Sequence, residues 1–304
     1  MKNKKKKEPK FMNLLTDYAF KRTFGSEKNK TVLINFLNAA LEGKEVITDV
    51  EFRDKEALPF VEDGKRLVFD VYCTTDNGSH IVVEMQRTLQ PSFSNRALAY
   101  CAHNIIKQTQ RGKRYTFDKV YGIFIMNFHL VDLPPKLIRR VSLMDEKTHE
   151  MFSDRLHMIF FDLKEMKRRS LKTCRNDIER RLYLLKNMEK MEKRPKEYPM
   201  YDELFDAADI SYLSNEEVVS YGQSRMKLED DREGLLYYGE QQLKKGIEKG
   251  IEKGRKEGIK EGKKEGEQSM LKGIIRMLRN KGMSLKDVIE TLDFPKAEIE
   301  MLWE

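Results

Sequence analysis

Phe69-Asp70-Val71-Tyr72-Cys73, the polar turn Thr75-Asp76-Asn77-Gly78-Ser79 and the run Ile81-Val82-Val83-Glu84-Met85-Gln86 constrain this chain more than any other segment. They read as two short strands joined by a tight hairpin, each interrupting an apolar run with one acid. A carboxylate inside an apolar strand is costly unless something cationic meets it. Register decides whether the two acids can act together, because a slip of one residue sends one of them to the other face. A two-residue Asn77-Gly78 turn would put Asp70 opposite Met85 and separate the acids. A three-residue Asp76-Asn77-Gly78 loop, a type I turn closed by Gly78 in the left-handed region, pairs Thr75 with Ser79 and sets Asp70 across from Glu84. The second register is expected, since it gathers Asp70, Glu84 and Gln86 on one face and leaves Phe69, Val71, Val83 and Met85 on an apolar one. Opposed residues have Cβ atoms about 4.5–5.5 Å apart, so two carboxylates there repel unless they share a divalent cation. Oxygen-only ligands favour Mg²⁺, or Mn²⁺, over zinc.

Charge is concentrated at two places. Residues 2–10 hold six lysines and one glutamate, and residues 244–267 hold nine basic and six acidic residues, so these segments carry +5 and +3 and account for the whole net charge of +8. The body between them is formally neutral, and the overall basicity says little about what it binds. Cys73, Cys101 and Cys174 lack paired spacing, which suits a reducing, cytoplasmic setting and argues against disulfides or a zinc cluster. No secretory signal and no run approaching a membrane span is recognisable.

Helical spacing is expected over residues 13–24 and 28–42, a strand over 46–54, the two hairpin strands, a helix over 93–109, and strands over 119–127 and 157–162. Glycine recurs every fourth residue from Gly246 to Gly266 inside charged sequence. Each step advances about 40° around a helix, so no single flat face can use all six glycines. Beyond it, Gly282 is expected to end a helix, Ser284-Leu285-Lys286-Asp287 to cap the next, and Pro295 to start a last one.

The order acid, hairpin, acid-x-polar resembles the PD-(D/E)XK nuclease superfamily, with Gln86 where most members carry lysine. Thr16-Asp17-Tyr18-Ala19-Phe20-Lys21-Arg22-Thr23-Phe24-Gly25, Arg96-Ala97-Leu98-Ala99-Tyr100, Gly112-Lys113-Arg114-Tyr115 and Val120-Tyr121-Gly122-Ile123-Phe124-Ile125 narrow the likeness. In that order they resemble the Rpn family of recombination-promoting nucleases and transposases, over roughly residues 11–240.

The resemblance implies an α/β, restriction-endonuclease-like PD-(D/E)XK core, a mixed central sheet flanked by helices, with a helical C-terminal extension. The expected division is a basic tail over 1–10, the core over 11–165, a helical extension over 166–243, a charged glycine-periodic segment over 244–267 and a small helical module over 268–304. It implies a Mg²⁺-dependent DNA endonuclease linked to recombination or transposition, with Asp70, Glu84 and the Met85 backbone carbonyl holding the metal and Gln86 orienting water. Asp17 and Lys21, one helical turn apart, would complete the catalytic set, with Lys21 supplying the charge that glutamine lacks. Arg96 and Tyr100, one turn apart, would hold a phosphate or support Glu84, the alternative being a plain salt bridge. The expected partners are DNA and, through the C-terminal helices, further copies of the chain. The alternative is a catalytically weak or inactive nuclease-fold protein that binds DNA or assembles with partners.

Overall fold

The computed structural model describes residues 9–54, 56–57, 67–90, 92–109, 112, 114–131 and 133–303. The expected basic tail lies outside them, save its last two residues. The chain divides into two units, residues 1–229 and 230–304.

In the first unit, α1 (Asp17–Phe24) and α2 (Lys30–Leu41) precede β1 (Val50–Phe52), β2 (Glu56–Ala57), β3 (Leu67–Val68), β4 (Val71–Thr75) and β5 (His80–Gln86). Next come α3 (Phe93–Ile106), β6 (Val120–Met126), β7 (Ile138–Met144), β8 (Met151–Asp162), α4 (Asp177–Asn187) and α5 (Asp202–Ala208). A six-stranded sheet has the order β1-β4-β5-β6-β8-β7, and β2 pairs with β3 in a separate ribbon. β1, β4 and β5 form an antiparallel meander, β5, β6 and β8 run parallel, and β7 returns antiparallel at the edge. This is the mixed sheet flanked by helices that the resemblance implies.

Both faces of the sheet are covered. Side chains alternate along each strand, so Ile81, Val83 and Met85 join Tyr121, Ile123, Ile125, Ile159 and Phe161 in a large core with α1, α2, α4 and α5. Val82, Phe124, Met126 and Phe160 face the other way and pack with Phe93, Ala97, Tyr100 and Cys101 of α3. The expected apolar face therefore needs one correction. Val71, Val83 and Met85 share the large core, but Phe69 packs in the α3 cluster, against Tyr72 and Tyr100. Regular strand geometry is broken at Phe69 and Asp70, between β3 and β4, and alternation does not carry across the break.

β7 is absent from the expected strands. Its sequence Ile-Arg-Arg-Val-Ser-Leu-Met lacks a clean apolar run because it is an edge strand with half-exposed side chains. α6 (Asn215–Asn280) begins in the first unit, where Tyr221 accepts a hydrogen bond from the Asn13 N–H at 2.7 Å and Glu217 pairs with Arg22 at 2.8 Å.

In the second unit, α7 (Leu285–Thr291) and α8 (Lys296–Trp303) pack with the end of α6 around Leu271, Ile275, Val288 and Ile299. Ser284 and Asp287 form a reciprocal capping box, and Gly282 adopts φ +84° at the end of α6. Both match the punctuation visible in the sequence. Among the described residues no helix is long and apolar enough to cross a membrane.

Candidate active site

The β4–β5 hairpin takes the three-residue register. Val71 pairs with Val83, Tyr72 with Val82 and Cys73 with Ile81, while the Thr75 N–H donates to the Ser79 carbonyl at 2.9 Å. Gly78 closes the turn at φ +87°, a conformation that costs an L side chain strain. Continued one residue past Val71, the register sets Asp70 level with Glu84.

Regular pairing stops there, and the two carboxylates take over two of its backbone donors. The Asp70 N–H donates to Glu84 Oε1 at 2.8 Å, and the Met85 N–H donates to Asp70 Oδ2 at 2.9 Å. Glu84 is 6% exposed, and the Asp70 side chain 17%. Burial, reinforced by the neighbouring Asp70 charge, pushes the Glu84 carboxyl up to about 8. Burial also raises Asp70, against the Met85 N–H and the Lys21 ammonium, which favour its ionised form. Added positive charge would favour full ionisation of such a pair.

Two cations approach from opposite directions. Lys21 of α1 lies 2.8 Å from Asp17 and 3.6 Å from Asp70. Its partial burial works against the charge, but Asp17 and Asp70 outweigh that and raise its pKa. Asp17 is more exposed and meets the pair through Lys21, while Thr16 serves as N-cap of α1.

From α3, Arg96 donates through one NH₂ to Gln86 Oε1 at 2.6 Å and through the other to Gln90 Oε1 at 2.7 Å. The Gln86 amide nitrogen donates to the Thr88 carbonyl at 3.2 Å. Tyr100 donates to the Val68 carbonyl at 3.0 Å, beside the break that positions Asp70. The fold thus gathers Asp70, Glu84, Met85 and Lys21, with Asp17 behind Lys21 and Arg96 on Gln86.

A family model described as PD-(D/E)XK nuclease family transposase matches residues 14–239. The chain belongs to that family. The match spans the helices, sheet and hairpin described above, in agreement with the resemblance of the motifs to the Rpn nucleases and transposases. No curated protein and no solved structure shows significant similarity to the chain.

PD-(D/E)XK nucleases typically use divalent metals, and the donors of this family member fit a hard cation. They are oxygen atoms of two opposed carboxylates, one of them, Glu84, raised by burial and then by the Asp70 charge. Among the described residues no group of three or more His, Cys, Asp and Glu gathers to hold a metal alone.

The sequence did not point to Gln90 as a partner of Arg96. Nor did it indicate that α6 lies beside Asp17 and Lys21, since that side of the site comes from residues about two hundred positions away.

Proposed function

We propose that this protein is a divalent-metal-dependent DNA endonuclease, hydrolysing phosphodiester bonds in recombination or transposition. The observation that supports this reading most is the opposed, buried Asp70–Glu84 pair, linked through the Asp70 and Met85 N–H groups, whose burial pushes the Glu84 carboxyl up to about 8. The two carboxylates satisfy backbone donors, but burying opposed acids still costs stability, and carboxyls perturbed in this way cluster at functional sites.

Asp70, Glu84 and the Met85 carbonyl would hold Mg²⁺, with Mn²⁺ as the alternative. The ion supplies Lewis-acid polarisation of the phosphodiester and eases ionisation of the attacking water. Lys21 keeps an ammonium beside Asp70, where negative charge develops on the phosphoryl oxygens. Gln86 Oε1 accepts from Arg96 and retains a second lone pair to take a hydrogen bond from water. It can orient that water but cannot serve as an acid. Arg96 brings to position 86 the positive charge that glutamine lacks.

Supercoiled plasmid incubated with the full chain tests the proposal. Nicking is expected with Mg²⁺ or Mn²⁺ and is expected to stop with EDTA. Cleavage that survives chelation, or none with any divalent metal or DNA form, would overturn it. The second outcome favours a non-catalytic DNA-binding protein, in which Gln86 and Arg96 are only a structural pair.

A further inference from the structure

A cleft of about 560 Å³ lies between α1 and the first turns of α6, within the first unit. On the α6 side it is lined by Ser220, Gln223, Ser224 and Lys227, and on the α1 side by Asp17 and Lys21. The α6 positions follow i, i+3, i+4, i+7 spacing and form one helix face. A face turned towards a neighbouring helix at that spacing is ordinarily apolar. This one carries two hydroxyls, an amide and an ammonium.

Loose docking does not explain the cleft. Arg22 of α1 is held by Glu217 at 2.8 Å and by the Ala207 carbonyl at 2.7 Å, and the Tyr18 N–H donates to Ser224 Oγ at 3.1 Å. Yet the side chains of Ser220, Gln223 and Lys227 make no hydrogen bond or ion pair with any described residue. Asp17 is the acidic lining group, and Lys21 matches it at 2.8 Å. Lys21 also lies 3.6 Å from Asp70, so a side chain that lines the cleft reaches the carboxylate pair.

We propose that this cleft seats the phosphate backbone of the DNA strand flanking the bond to be cut, with Lys227, Gln223 and Ser220 donating to phosphate oxygens. The proposal rests on the nuclease reading and adds where the substrate runs. Hydroxyl, amide and ammonium donors without base-reading geometry position a duplex without reading its sequence. Ser220 and Lys227 are seven residues apart, about 10 Å along the helix. Along the duplex axis that length corresponds to about three phosphate steps of one strand at about 3.4 Å each.

The test is equilibrium binding of a short fluorescent duplex in EDTA across a salt series, beside Mg²⁺-dependent plasmid nicking, for the full chain and for Lys227→Ala, Lys227→Arg and Gln223→Ala. Lys227→Ala is expected to weaken binding severalfold and to lower the slope of log K against log salt by about 0.9, one phosphate contact. It should raise KM for nicking more than it lowers kcat. Lys227→Arg should restore the slope, and Gln223→Ala should weaken binding with the slope kept. If the unmodified protein binds and nicks DNA while Lys227→Ala matches it in affinity and slope, the cleft carries no backbone and the nuclease reading stands. If the unmodified protein neither binds nor nicks, both fall together.

Discussion

Glu84 concentrates the conflict between folding and chemistry. Its carboxyl has a folded-state pKa of about 8 against an ordinary 4.5, first through burial and then through Asp70. A carboxyl raised in this way favours the folded state when protonated. Its contribution is fully present below about pH 4.5 and is lost as pH rises to about 8. Thermal unfolding of the metal-free protein should therefore show wild type losing stability relative to Glu84→Gln across that window. Parallel pH curves would mean that Glu84 is not buried as described. Arg96 gives the second prediction at this scale. If its charge substitutes for the lysine usual at position 86, Arg96→Ala should slow nicking by about 10²-fold, and adding Gln86→Lys should recover part of the rate. Single-turnover nicking would decide: equal rates in all three proteins would leave Arg96 with a purely structural part.

Elements deliver these side chains only because the sheet and α3 fit closely. Gly122 of β6 is the tightest point, since a Cβ there would lie 2.5 Å from Cys101 Sγ on α3 and 2.7 Å from the Phe124 ring. Gly122→Ala should push α3 off the sheet, destabilise the protein by about 1–3 kcal/mol in chemical denaturation and displace Arg96 and Tyr100, lowering the nicking rate as well. Unchanged stability would show that α3 does not pack as described. The hairpin itself was legible in sequence, because turn chemistry and side-chain alternation are local. Phe69 was not, because alternation fails across the break at Asp70. The approach of Lys21 followed from its spacing to Asp17 only if α1 lined the site, and that depends on the packing of Phe20 and Phe24 into a core built from distant segments. β7 and the α6 side of the cleft left no periodic signal to read.

On the scale of the whole molecule, two units have separate cores, and the glycine-periodic stretch falls inside α6. A Cβ at any glycine from Gly246 to Gly266 meets nothing within 4 Å. Gly250→Ala and Gly258→Ala should therefore strengthen the helix by about 0.8–1 kcal/mol each, read as slower amide hydrogen exchange over these turns. Faster exchange, or a change of oligomeric state, would mean that the glycines serve a close contact with another copy of the chain. The central claim concerns neither the tail nor the packing but the carboxylate pair. Its most direct test is Mg²⁺-dependent nicking of supercoiled plasmid by wild type, Asp70→Ala and Glu84→Ala. The expected result is cleavage by wild type and a loss of about 10²-fold or more in each mutant that retains the fold, because each substitution removes one of the two carboxylates proposed to hold the metal. Nicking that persists in either folded mutant would contradict the assignment of Asp70 and Glu84 as the catalytic pair.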